Sequence, residues 1–227
     1  MAQEGITVVL AHGAWADGSG WSRVIDRLQA EGQRAIAAPL PLTSLADDIA
    51  MLDRVIDRAG GPVVLVGHAY AGAVIGATRH AKVKALVYVA ALAPDEGETV
   101  ADVFYRVPPH PQAPQLAPDE AGLIWLPEDA FATAFAPQAD TREQAVLASV
   151  QRPISVACIT VPVSRPLWRD RPTWYFVADE DRMISGENQR FMAKRMGAAT
   201  VVYPLDHSPM IVAPESVTAT ILAAVRA

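Results

Sequence analysis

Apolar residues along this chain follow two periods, and the two take turns. Short continuous runs at residues 6–11, 34–38, 63–66, 83–89, 174–178 and 200–203 are rich in Val, Ile, Ala and Leu, and read as strands buried on both faces. Between them the spacing lengthens to a helical period. Trp21, Val24, Ile25 and Leu28 mark one helical face, with Gly32 placed as its stop. Leu45, Ile49, Leu52, Val55 and Ile56 mark a second, which Ser44 can cap. Further helices are predicted over 70–79, near 189–196, and over 214–226. Strands that alternate with helices predict an α/β fold with a mostly parallel, doubly wound sheet.

The rhythm breaks between about residues 95 and 171. Prolines crowd this stretch, and its apolar residues sit in patches such as Leu123, Ile124, Trp125 and Leu126. Helical candidates within it cover 128–135 and 142–150. A structureless loop of this length is uncommon in a compact domain, so the segment reads as a lid or cap folded over the carboxyl edge of the sheet. The whole chain, 1–227, reads as a single domain carrying that insertion.

Composition narrows the function classes. A chain of 227 residues can bury a full core without disulfides or metals. Half the residues are hydrophobic (51%), yet no run reaches the roughly 20 apolar residues of a membrane span, so no membrane partner is expected. The formal charge of −6 argues against nucleic acid, which needs clustered Lys and Arg. Cys158 is the only cysteine, which excludes an intrachain disulfide and a thiolate metal cluster. The first five residues lack the basic and apolar pattern of a secretory signal, and a cytoplasmic location is expected. No histidine pair has metal-ligand spacing and no dinucleotide fingerprint is present, so neither metal nor cofactor is expected. Assembly as a homodimer is left open.

Candidate chemistry lies at four strand ends. Val63 to Val66 run into Gly67-His68-Ala69-Tyr70-Ala71, the layout of a strand, a sharp turn and a helix start in which a G-x-S-x-G nucleophile would sit at position 69. That position holds alanine, which cannot attack a carbonyl. Val9-Leu10-Ala11-His12-Gly13-Ala14-Trp15 follows the first strand, Asp179-Glu180-Asp181 a late one, and Asp206-His207-Ser208 the last. In this order the four segments resemble the α/β-hydrolase superfamily over nearly the whole chain, most closely its small, lidded esterases and hydroxynitrile lyases.

The resemblance implies roles. His207 would be general base and acid, with an acidic residue fixing its tautomer. Asp181 is preferred as that acid, because it precedes Ile184 by three residues as in the family's Asp-x-x-Ile pattern; Asp179, Glu180 and Asp206 remain alternatives. The amides of Ala14 and Tyr70 would form an oxyanion hole. Trp15 and Trp125 are expected to line the substrate pocket. His68 and His12 are expected to be structural, His80 and His110 exposed, Ser19 a turn residue, and Cys158 a small buried apolar group. The apolar lid predicts a small to medium hydrophobic or aromatic substrate.

Three functions accommodate Ala69. The chain is an ester hydrolase of Ser-His-Asp type with its nucleophile replaced and thereby inactivated. Alternatively, it is a serine-independent enzyme (lyase, isomerase, decarboxylase or cofactor-free oxygenase) that uses a His207–Asp181 acid–base dyad. In the third reading it is a non-catalytic binder of small molecules.

Overall fold

The computed structural model describes residues 5–227. In chain order its strands are β1 (Thr7–Ala11), β2 (Ala35–Ala38), β3 (Val63–His68), β4 (Val83–Val89), β5 (Leu123–Ile124), β6 (Ile154–Ser155), β7 (Thr173–Ala178) and β8 (Ala199–Tyr203). Six of them form one all-parallel sheet in the order β2-β1-β3-β4-β7-β8. The sheet is wound outward in both directions from its centre. Strands β1 and β3 are buried along their whole length, as sheets covered on both faces require. Edge strand β8 is mostly exposed.

The covering helices are α1 (Ser22–Ala30), α2 (Leu45–Ala59), α3 (Ala71–Ala77), α7 (Gly186–Met196) and α9 (Pro214–Arg226), with α4 (Val100–Phe104), α5 (Glu128–Ala130), α6 (Thr141–Val150) and α8 (Pro209–Val212) elsewhere. Helix α2 shows why the local sequence folds so. The Ser44 side chain accepts from the amide of Asp47, satisfying a free donor of the first turn, and Leu45, Leu52, Val55 and Ile56 turn inward. Gly60, at φ 84°, ends it. Asp48 lies on the same inward face and is fully buried, which the helical stripe of apolar positions did not predict.

Segment 95–171 lies between β4 and β7 and contains no strand of the main sheet. A capping box between Thr99 and Asp102 starts α4. Helix α5 passes into a π-helical turn, Phe131–Phe135, and Asp140 caps α6. Strands β5 and β6 pair antiparallel over two residues each, too short for any periodic signal. Main-chain bonds fasten the segment to the body: Trp15 N–H to Arg152 C=O at 3.0 Å, and Ser155 N–H to Leu42 C=O at 3.0 Å. Among the described residues, no helix is long and apolar enough to cross a membrane.

Candidate active site

Strand β3 ends at His68, and the chain turns sharply at Ala69 to enter α3. Ala69 has φ 49°, a left-handed conformation that costs a non-glycine residue about 1–3 kcal/mol and persists only when its surroundings enforce it. They do. Ala69 donates to Val89 C=O at 3.3 Å, while its own carbonyl accepts from Gly72 at 3.1 Å and Leu92 at 2.9 Å. Two glycines make room for the turn. A Cβ at Gly67 would stand 2.7 Å from the carbonyl oxygen of Ala71, and one at Gly72 would stand 2.4 Å from that of Leu92. Replacement of the second glycine of the turn pattern by Ala71 is therefore tolerated, because the close approach falls at Gly72.

His207 follows β8 and is buried beside this corner. Its Nδ1 lies 2.7 Å from Asp181 Oδ2. Asp181 also accepts from Gln189 Nε2 at 2.8 Å on that oxygen, and from the amides of Met183 (2.7 Å) and Ile184 (2.9 Å) on the other. The Asp-x-x-Ile spacing thus has a physical basis, since the turn after Asp181 aims two backbone donors at its own carboxylate. The other acids point elsewhere. Asp179 pairs with Arg190, and Glu180 accepts from Gln138. Asp206 accepts from the amides of Gln138 (2.8 Å) and Ser208 (2.9 Å), fastening the 131–138 turn to the His207 loop.

With Nδ1 held by Asp181, Nε2 is the ring nitrogen of His207 left for the cavity whose wall His207 shares with Ala69, Ala14, Trp15 and Tyr70. The cavity is about 70 Å³. Val100, Phe104, Tyr105, Leu116, Ile124 and Ile159 from segment 95–171 form much of the remaining wall, and Met183 and Ile184 complete it near Asp181. Among the described residues, the amide N–H groups of Ala14 and Tyr70 donate to no protein acceptor. Gly13 is packed so tightly against the corner that a Cβ there would be 2.8 Å from the Ala69 methyl.

The other histidines are structural. His12 Nε2 accepts from Leu40 N–H at 3.1 Å, so Nδ1 carries the proton and donates to Gly13 C=O at 2.9 Å. His68 Nε2 donates to the His207 carbonyl at 2.7 Å, and its ring packs 4.7 Å from the His207 ring. Burial keeps both below the ordinary imidazole range, and the neighbouring His207 ring adds to the effect at His68. His80 and His110 are half-buried rather than exposed.

One expected pocket residue is corrected. Trp125 is 49% exposed, does not line the cavity, and its indole N–H lies 3.3 Å from Asp119. The alternation of an extended segment explains this: Ile124 and Leu126 turn inward, so Trp125 between them turns out. Trp15 lines the cavity, at φ 57°, its indole donating to Ile124 C=O at 2.9 Å. Ser19 does not reach the cavity; its hydroxyl donates to Asp17. Ser208 donates to Phe135 C=O. The sequence reading missed Gln189, whose amide group bridges Ala178, Ile184 and Asp181. Its only signal is a polar residue on the inward face of α7.

Comparison with known proteins agrees with this architecture. A polyneuridine aldehyde esterase superimposes with a TM-score of 0.81 at 18% identity, covering 96% of this chain and 98% of that one. A pyrethroid hydrolase from Sphingobium faniae JZ-2 gives 0.81 at 22% identity, covering 98% of each. A methylesterase from Arabidopsis gives 0.77 at 17% identity, covering 97% and 99%. No curated protein matches by sequence. The model of the alpha/beta hydrolase family matches residues 8–220, nearly the full chain, and the chain belongs to that family.

Proposed function

We propose that this protein is an esterase-type hydrolase scaffold that binds a small apolar carboxylic ester and lacks the acyl-transfer nucleophile because position 69 is alanine. One observation carries the reading. A methyl group sits at a strained strand-to-helix corner and shares a cavity wall with the free face of a His–Asp pair and with two unpaired main-chain donors. The likeness to solved esterases supports the reaction class. The wall carries no charged side chain apart from the ionisable His207, which suits a neutral, hydrophobic or aromatic ester.

A hydroxyl at position 69 would complete the chemistry. Its Oγ would attack the ester carbonyl while Nε2 of His207 takes the proton, and Asp181 would stabilise the imidazolium formed. The oxygen that gains charge would accept from the amides of Ala14 and Tyr70; in other hydrolases losing one such donor costs about 3 kcal/mol. His207 would return its proton to the departing alkoxide. Water, activated by the same imidazole, would then release the acid from the introduced hydroxyl by the same steps in reverse. The test is Ala69→Ser assayed on phenyl acetate and 4-nitrophenyl butyrate. Turnover that disappears on adding His207→Ala supports the reading, and a folded but inactive Ala69→Ser variant overturns it.

The completeness of the Asp181–His207 hydrogen bonding favours a second reading, in which the unmodified chain uses the pair for proton transfer without a covalent intermediate. It requires the chain as it stands to exchange the α-hydrogens of a small aryl ketone in D2O, and His207→Ala to stop that exchange. Binding of the ketone with no exchange in either protein points to the non-catalytic binder.

A further inference from the structure

Behind the corner lies a buried carboxylate that the chemistry above does not use. Asp48, on the first turns of α2, has no exposed surface. Its Oδ2 accepts from the Tyr70 hydroxyl at 2.6 Å and lies 3.6 Å from Cys158 Sγ; its Oδ1 accepts from Leu42 N–H at 2.7 Å. Among the described residues no cation balances it: its partners there are a phenol, a thiol and an amide. Burial accordingly raises its pKa, and lifts the Cys158 thiol to about 12, so Cys158 is a donor here and no nucleophile. An unpaired charge-bearing group in a core is costly, and its presence calls for a role that an apolar residue of similar size would not fill.

The partners indicate the role. Tyr70 follows the strained corner, and its amide is one of the two free donors on the cavity wall. Leu42 is itself left-handed, at φ 61°, and its carbonyl accepts from Ser155 beside cavity residue Ile154. Cys158 is flanked by Ile159, also in the wall. A single carboxylate therefore ties the residue after the corner to the strand and turn that bring Ile154 and Ile159 to the same cavity. We propose that Asp48 is a positioning residue: through the Tyr70 side chain it aims the Tyr70 amide into the cavity, and through Leu42 and Cys158 it sets how far the 154–159 wall stands from that amide. This deepens the ester reading, and its kinetic arm rests on it.

Tyr70→Phe removes the hydrogen bond and leaves the amide and ring in place. Asp48→Asn keeps one acceptor oxygen, and Asp48→Ala keeps none. In the Ala69→Ser background, Tyr70→Phe is expected to lower kcat on phenyl acetate roughly ten- to hundredfold, below the 10²–10³ lost when a donor is removed outright, with KM changed less than about threefold. Asp48→Asn should retain more kcat than Asp48→Ala. Amide hydrogen exchange, followed in the otherwise unmodified chain, needs no turnover. Exchange at residues 70–73 should quicken about tenfold or more in Tyr70→Phe while β1 stays protected.

Unchanged exchange at 70–73 overturns the proposal. So does an unchanged kcat, or a loss carried by KM alone. If Ala69→Ser proves inactive while exchange quickens as expected, the ester reading falls and the clamp on the amide stands.

Discussion

The floor and the roof of the cavity are built from different materials. The floor is the carboxyl edge of the sheet, where main-chain amides, a left-handed corner and the Asp181–His207 pair are fixed by hydrogen bonds and by packing that leaves no room for a Cβ at Gly13, Gly67 or Gly72. The roof is segment 95–171, with two-residue strands, short helices and aliphatic or aromatic side chains. The difference teaches where each property is set. Chemistry needs positions held to fractions of an ångström, which the floor supplies; selection of a ligand needs shape, and the roof can vary that at small cost.

The largest test of this division is Ala69→Ser. If the floor is otherwise complete, ester hydrolysis should rise at least about 10³-fold over the unmodified chain in a spectrophotometric assay. Next is Gly72→Ala, also in the floor. The new methyl would meet a backbone oxygen that cannot swing aside, so urea unfolding should show a loss of about 3 kcal/mol.

Acid is the third probe. His68 and His12 have pKa values depressed by burial, so the unfolded chain binds protons they refuse when folded. Their contribution is present above the unfolded value near 6.5 and is lost as pH falls below it, at up to about 1.4 kcal/mol per pH unit for each ring. The raised pKa values of Asp48 and Asp206 act oppositely, returning stability as pH falls through them. The urea midpoint should therefore decline from pH 7 towards 5.5, and His68→Gln, if folded, should flatten the decline.

Roof changes should be milder. In the Ala69→Ser background, Phe104→Ala should shift preference about tenfold towards bulkier esters, measured as the ratio of kcat/KM between butyrate and acetate esters. Trp125→Ala should leave both stability, within about 0.5 kcal/mol, and selectivity unaltered.

The same contrast governs what could be read from the sequence. Strands β1, β3, β4 and β7 announce themselves because a strand buried on both faces is apolar over most of its length, Lys84 being the one exposed residue in β4. The corner at Ala69 was legible because its geometry demands Gly67 before the turn, and Asp181 because it stands at a strand end in a recognisable spacing, where the amides two and three residues on bond its carboxylate. Asp48 and Gln189 were not. Each is a polar residue on a helix face otherwise predicted to be core, and only the fold brings them to partners 22 and 8 positions away. Trp125 was misread because one aromatic in a proline-rich stretch gives no phase, and the phase came from a strand two residues long.

The indole of Trp15 reaches across from floor to roof and stitches itself to Ile124. On that flank the two layers are sewn shut by a buried hydrogen bond. Tyr105, also in the wall, is 55% exposed at the end of α4, and that helix is held by Asn188 Nδ2 donating to Val103 C=O at 2.7 Å. The lid segment is thus anchored to the body by buried hydrogen bonds at Ile124 and at Val103 alike, so its shape can change without its moorings being lost.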